Sequence, residues 1–120
     1  MAAADSSSKA VVASLDIGTT GVRCVLFDSD SCVVSNEYAR ISPIHPLPGW
    51  SEIDAMELWN QCRTVITQAI QAGGVSARDV SALGIATLRG SFVCWSRSSG
   101  RPLHNIVTWQ DTRSADICKA

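Results

Sequence analysis

Two short apolar runs joined by Gly18-Thr-Thr-Gly21 constrain this chain more than any other feature. Val11 to Leu15 is a β-branched and bulky run that ends at Asp16, and Val22 to Phe27 resumes the same texture beyond the glycines. Runs of this length bounded by glycine suit strands and not helices, so the pattern predicts a β-hairpin with a polar tip. Asp28-Ser-Asp-Ser31 predicts a second turn, because Asp and Ser side chains hydrogen-bond their own backbone. Cys32 to Tyr38 then alternates as a third strand, and three consecutive antiparallel strands make a meander.

Downstream, Ser42 to Gly49 carries three prolines and a glycine, which excludes helix and ladder alike and predicts a surface loop. A helix is predicted from Asp54. That residue is a carboxylate N-cap with Glu57 in capping-box spacing, and Ile53 and Leu58 flank them as a hydrophobic staple. Leu58, Cys62, Val65, Ile66, Ala69 and Ile70 recur on one helical face, and Gly73-Gly74 supplies a left-handed stop. Val80 to Thr87 and Phe92 to Ser96 read as further strands, with a turn at Ser98-Ser-Gly100 and a short strand at Ile106 to Trp109. Asp111 or Thr112 caps a last predicted helix that still runs at Ala120, as expected for a piece of a longer chain.

The 120 residues make one domain or part of one, and 46% hydrophobic against 18% charged residues exclude disorder for most of the chain. Residues 1–9, rich in Ala and Ser, are the expected exception, a disordered tail. A net charge of −1 with scattered Lys and Arg gives no footprint for nucleic acid or an acidic membrane surface. Five cysteines, an odd number without zinc-finger spacing, read as reduced and mostly buried thiols. No stretch has the length of a membrane span or the form of a secretory signal, so the expected location is cytoplasmic.

Phosphate recognition needs backbone N–H groups converging on one point, which glycine permits through close approach and unusual φ. The tip from Gly18 to Arg23 offers such groups, two hydroxyls on Thr19 and Thr20, and a guanidinium two residues past Gly21. Asp16, at a strand end, can hold a hydrated Mg²⁺ against the same phosphates. The alternative is a tight turn and nothing more; the segment is neither a Walker A loop nor a GxGxxG fingerprint. Arg89 follows a predicted strand, as a ligand-facing or an ordinary surface arginine. Of Trp50, Trp59, Trp95 and Trp109, most are expected in core or edge packing, with one lining a ligand pocket. His45 and His104 are isolated and read as structural or solvated.

Order and spacing then carry a resemblance. Leu15-Asp-Ile-Gly-Thr-Thr-Gly-Val-Arg23, Pro48-Gly-Trp50-Ser-Glu52-Ile-Asp54, Leu83-Gly-Ile-Ala-Thr-Leu-Arg89 and Trp109-Gln-Asp-Thr-Arg113 together resemble the N-terminal part of the FGGY carbohydrate kinases, and within them the glycerol kinases, animal forms included. The resemblance covers about residues 11 to 120. It implies an α/β fold of ribonuclease-H-like, actin-type ATPase class, a mixed sheet with flanking helices, of which residues 10–120 are the incomplete N-terminal portion of the first of two domains. It implies ATP and Mg²⁺ as cofactors, a small polyol or sugar as partner, and homo-oligomers among full-length members. Gly18, Thr19, Thr20, Gly21 and Arg23 take the nucleotide phosphates by this resemblance, and Asp16 the metal. Thr19, Arg89, Gly90 and Trp109 fall at the substrate, Arg89 gripping hydroxyls and Trp109 packing on the carbon backbone. The base that accepts the hydroxyl proton is expected downstream. Gly90 stands where glycerol kinases carry Glu, which leaves the identity of the polyol or sugar open.

Three functions follow as expectations. The first is ATP-dependent phosphorylation of a polyol or sugar hydroxyl, as in glycerol to glycerol 3-phosphate, with this chain alone inactive. The second is a non-catalytic nucleotide-binding or regulatory paralogue of the same fold. The third is an α/β interaction domain whose Asp-Ile-Gly-Thr-Thr turn binds nothing.

Overall fold

A computed structural model describes residues 10–119. The predicted tail at residues 1–9 and the final Ala120 lie outside the described residues. The hairpin forms as the sequence predicts, from β1 (Val11–Ile17) and β2 (Gly21–Phe27), and the third strand β3 (Val33–Arg40) completes the meander. Its register runs from Val12 opposite Phe27 to Ile17 opposite Val22, so alternate residues of each strand share a face. Val11, Ala13 and Leu15 point to one face with Val22, Cys24 and Leu26, all buried, while Val12, Ser14 and Asp16 point to the other and are exposed. Between β2 and β3 the Asp28 carboxylate accepts from the N–H groups of Asp30 and Cys32 at 3.0 and 2.9 Å, the self-bonding expected of that turn.

The helix α1 (Ala55–Ala72) packs its apolar stripe onto the buried face of β1, β2 and β3. Cys62, Val65 and Ala69 are buried there, and Leu58, Ile66 and Ile70 flank them. At its start Asp54 Oδ1 accepts from Met56 N and Glu57 N at 2.7 and 3.0 Å, one half of the expected capping box. The reciprocal box closes instead around the short 3₁₀ turn Ala77–Asp79, between Ser76 and Asp79. The helix stops as a Schellman motif. Gly73 stays right-handed, Gly74 takes φ +62°, and the N–H groups of Gly74 and Val75 donate to Gln71 O and Ile70 O. Ser35 Oγ, buried under the helix, donates to Ala69 O at 2.8 Å and fixes α1 on β3.

A two-residue strand, β4 (Glu52–Ile53), precedes α1; after the helix a longer strand, β5 (Val80–Ala86), runs parallel to β1, giving a four-stranded mixed sheet of order β3-β2-β1-β5. The short β4 lies ahead of α1 and pairs antiparallel with β6 (Ile106–Val107) in a separate ribbon. The two-residue β4 has no signal of its own in the sequence. On β5, Leu83 and Ile85 stay 45% and 58% exposed, because α1 stops short of that edge.

Four expectations need correction. Phe92 to Ser96 is not a strand but touches its neighbours at two isolated bridges, Phe92 with Val107 and Trp95 with Pro102. Pro102 has no N–H to extend a ladder. The helix expected after Thr112 is a series of turns ending in a 3₁₀ turn, Ile117–Lys119. Asp111 bonds the N–H of Arg113 and of Ser51 instead of capping, and Ile117, 78% exposed, has no surface to pack on. Only Cys24 and Cys62 of the five free cysteines are buried, and burial pushes both thiols up. Of the tryptophans none is buried: Trp59, Trp95 and Trp109 are more than half exposed, and Trp50 is half-covered by a guanidinium.

Candidate active site

Because β1 and β5 run parallel, their carboxyl ends emerge at the same edge of the sheet, where α/β folds place their ligand crevices. The register sets Asp16 beside Ala86. The hairpin tip that follows Asp16 therefore stands next to the segment Thr87 to Gly90 that follows β5. A third segment, carrying Trp109, closes the space. The resulting cleft of about 610 Å³ is lined by Asp16, Gly18, Thr19, Arg89, Gly90 and Trp109 with Ile17, Thr87 and Leu88. Residues 93 positions apart in sequence meet here, and six of the residues proposed from the sequence are among them.

The tip closes on itself through Gly18 N–H to Gly21 O at 2.9 Å. Thr20 O accepts from Ile41 N and from Tyr38 Oη, both at 3.1 Å, which ties the tip to the end of β3. Among the described residues, the N–H groups of Thr19 and Thr20 have no hydrogen-bond partner, which leaves two successive backbone donors free. Neither Gly18 nor Gly21 takes a positive φ, so these donors are presented by an ordinary bend and not by the unusual backbone expected of the glycines. The Asp16 carboxylate stands exposed at the mouth with no ion-pair partner among the described residues. Arg89 is likewise exposed and unpaired among them.

Trp109 crosses the cleft. Its Nε1–H donates to Thr19 Oγ1 at 3.1 Å, and its backbone N–H donates to Ser91 Oγ at 3.1 Å. Gly90 takes φ +68°, and a Cβ there would lie 3.4 Å from Trp109 Cβ. The chain thus reverses between Arg89 and Ser91 in a conformation that only glycine adopts freely.

Three of the proposed residues do not line this cleft. Thr20 faces a neighbouring hollow of about 480 Å³ with Trp50, Ser51 and Thr112. Gly21 sits beneath Tyr38, where a Cβ would overlap the phenol ring, so this glycine answers to packing. Arg23 lies directly across from Asp16 on the open face of the sheet, but its guanidinium turns toward β3, donating to Asn36 Oδ1 at 3.2 Å and standing 5.3 Å over the Tyr38 ring. His45 Nδ1 lies 2.9 Å from Trp50 O, and His104 Nε2 lies 3.9 Å from Glu52. Among the described residues no group of three His, Cys, Asp or Glu side chains is placed to hold a metal ion.

Beneath the Trp109 segment is a charged network that the sequence did not announce, Asp111 having been expected there only as a helix cap. Arg113 Nη2 donates to Glu52 Oε1 and Asp111 Oδ2, both at 2.7 Å, and Nε donates to Asp111 Oδ1 at 2.8 Å. Its guanidinium carbon stacks 3.7 Å from the centre of the Trp50 ring. Asp111 Oδ2 also accepts from Ser51 N at 2.7 Å, and Glu52 Oε2 from Asn105 Nδ2 at 2.8 Å. Hydrogen bonds from Asn105 and Arg113 hold Glu52, 2% exposed, below the usual carboxylate range. Those from Arg113 hold Asp111 well below it, and the two carboxylates raise Arg113 in turn. Thr108 Oγ1, buried, donates to Ser51 Oγ at 2.7 Å. Trp109 is therefore carried on a segment bolted to β4 on both sides. Two tryptophan-containing motifs with charged residues were visible in the sequence; their partnership across some sixty positions was not.

The sequence family described as the FGGY family of carbohydrate kinases, N-terminal domain, matches residues 11–120. Glycerol kinase 5 of Danio rerio is 37% identical over 115 residues, 96% of this chain and 22% of that protein. The glycerol kinase of Haloferax volcanii is 41% identical over 110 residues, 92% and 22% of the two chains. This chain spans about a fifth of the length of such relatives. Among solved structures, Plasmodium falciparum glycerol kinase with ADP superposes with a TM-score of 0.81 at 22% identity, covering 92% of this chain and 22% of that one. A xylulose-type kinase from Brucella ovis gives 0.78 at 28% identity, covering 89% and 23%. The mixed sheet with its covering helix is thus the opening portion of the sugar-kinase fold, and the chain belongs to the FGGY family of carbohydrate kinases.

Proposed function

We propose that the protein containing this chain phosphorylates a hydroxyl of a small polyol or sugar with ATP, glycerol being the first acceptor to test, and that residues 10–120 are the start of the first of its two kinase domains. The observation that carries the reading is the meeting of Asp16, Gly18 and Thr19, whose backbone N–H is unpartnered among the described residues, with Arg89 and Trp109 in a single cleft. Phosphate oxygens suit the donors, and acceptor hydroxyls suit the guanidinium. The names of the relatives, glycerol kinases of animals and archaea, support the same reaction class over a non-catalytic paralogue.

In this reading Gly18 and Thr19 hold the terminal phosphates, with Thr20 and, after a change of rotamer, Arg23 assisting. Mg²⁺ keeps several waters and takes only one or two carboxylates besides phosphate, so the lone exposed Asp16 at the cleft mouth fits a hydrated ion. Bound there, Mg²⁺ neutralises charge on the transferring phosphoryl group. Arg89 orients the acceptor, and Trp109 and the open space at Gly90 shape its carbon side. The base that takes the hydroxyl proton belongs to a later part of the protein. Free cysteines and the want of any membrane-crossing helix among the described residues accord with a cytoplasmic enzyme.

The test is turnover of the full-length protein with Mg-ATP across glycerol, other polyols and pentoses. Phosphorylation of at least one acceptor, lost in Asp16→Ala without loss of fold, is expected. Absence of turnover on all of them, with Mg-ATP still bound, would instead favour a nucleotide-sensing paralogue.

A further inference from the structure

We propose that Trp109 is a positioning residue that acts through Thr19, its indole N–H fixing the direction in which the Thr19 hydroxyl donates. A threonine hydroxyl has one proton to give and two lone pairs to receive. With one lone pair committed to Trp109 Nε1–H at 3.1 Å, the proton cannot point back along that line and is left to the open space that Thr19 borders, the cleft it shares with Trp109 and the neighbouring hollow beside Thr20. An indole N–H is a donor only, so the direction of this bond is unambiguous, and no flip or tautomer can reverse it.

The rest of the segment is built to hold the indole still. Trp109 is 60% exposed, so its N–H had water available as a partner. It is kept on Thr19 by anchors on either side of its Cα. Its backbone N–H is bonded to Ser91 Oγ, and the left-handed turn at Gly90 brings the chain up to its Cβ. Next to it Thr108 is buried against Ser51, and Asp111 grips Ser51 N and Arg113. The wall that faces the acceptor is in this way joined directly to the donor that faces the phosphate. Pre-set donors of this kind save reorganisation at the moment of transfer and act on rate more than on binding.

The inference rests on the phosphoryl-transfer reading, and two measurements on the full-length protein separate their failures. In steady-state kinetics, Trp109→Phe keeps a flat ring and removes only the N–H. It is expected to lower kcat about fivefold, with the KM for the acceptor changed less than twofold. Thr19→Val should lower kcat at least as far, Thr19→Ser should restore most of it, and Trp109→Phe added to Thr19→Val should cost nothing more. Additive losses, or an effect on acceptor KM alone, would overturn the proposal in favour of simple packing. With ¹⁵N-tryptophan labelling, the indole resonance assigned by its disappearance in Trp109→Phe should move in Thr19→Val. It should also move when Mg-ADP is added to the wild type, but not when Mg-ADP is added to Thr19→Val. A resonance indifferent to Thr19→Val refutes the bond whether or not any acceptor is turned over, whereas a protein without turnover that shows these shifts refutes only the choice of reaction.

Discussion

Gly90 offers a perturbation whose size can be worked out and whose control lies within the same chain. Its φ of +68° puts it in the left-handed region, where a residue with a Cβ costs about 1–2 kcal/mol. Replacing glycine by alanine also stiffens the unfolded chain, which returns about 0.4–1 kcal/mol. The added methyl would meet Trp109 Cβ at 3.4 Å, ordinary contact distance, so no clash enters. Gly90→Ala should therefore destabilise by about 1 kcal/mol, and Gly90→Asn by less, since asparagine tolerates this region. Gly74 has nearly the same φ, +62°, with nothing within 4 Å of its missing Cβ, and lies at the end of α1. Gly74→Ala should lose similar stability in urea titration at unchanged m-value. The two must differ at the cleft. In Gly90→Ala the segment between Arg89 and Ser91 relieves part of its strain by moving, which shifts the anchor of Trp109 and raises the acceptor KM; Gly74→Ala leaves KM alone. Gly90→Ala as stable as wild type would show that the left-handed conformation is not enforced. An equal rise of KM in Gly74→Ala would show that any such effect is global.

Two further predictions test the scaffold and the network. Val65→Ala removes two methyl groups from a fully buried position where α1 meets the sheet, and should cost about 2 kcal/mol by chemical denaturation. A cost under about 0.5 kcal/mol would mean that the helix is not seated as described. Glu52 and Asp111 both have folded pKa values below their unfolded ones, about 4.3 and 3.9. Their stabilisation is then complete above that range and is lost as pH falls through the lower folded values. Thermal stability should hold from neutral pH to about pH 5 and fall below about pH 4, and Glu52→Gln should shallow that fall; an acid limb identical in the variant would exclude Glu52 as a contributor.

What was legible in the sequence was local. The hairpin, the Asp28 turn, the loop of prolines and α1 announce themselves within a dozen or so residues, by period, by cap and by glycine. Even there the reach of a local signal ends at geometry: Asp54 and Glu57 have capping-box spacing, yet the closed box belongs to Ser76 and Asp79, which the same rule also fits. The misreadings share a cause. Phe92 to Ser96 is apolar enough for a strand, but strand formation depends on what lies opposite, and opposite Trp95 lies a proline. Thr112 to Lys119 can start a helix by composition, yet a short helix needs a face to bury, and none is near.

The site divides along the same line. Asp16, Gly18 and Thr19 were readable because a phosphate-binding turn is a local object, whereas Arg89 and Trp109, open to a surface or packing reading on the residues alone, gained substrate roles only through resemblance to a family. Ser91 was named by neither, and Glu52, Asp111 and Arg113 appeared only as motif letters or as a helix cap, although they determine where Trp109 stands. Glu52 shows why. Next to a helix cap, an isolated Glu looks like a solvated acid, and its identity as a buried anion follows only once Arg113 is brought 2.7 Å away by pairing of β4 with β6. That pairing is two residues long and has no propensity signal. The same guanidinium neutralises two carboxylates and covers Trp50, so removing it would leave Glu52 charged and almost without water. A ribbon too short to be seen in the sequence is thus held by charge, and through Asp111 and Thr108 it sets the wall of the cleft.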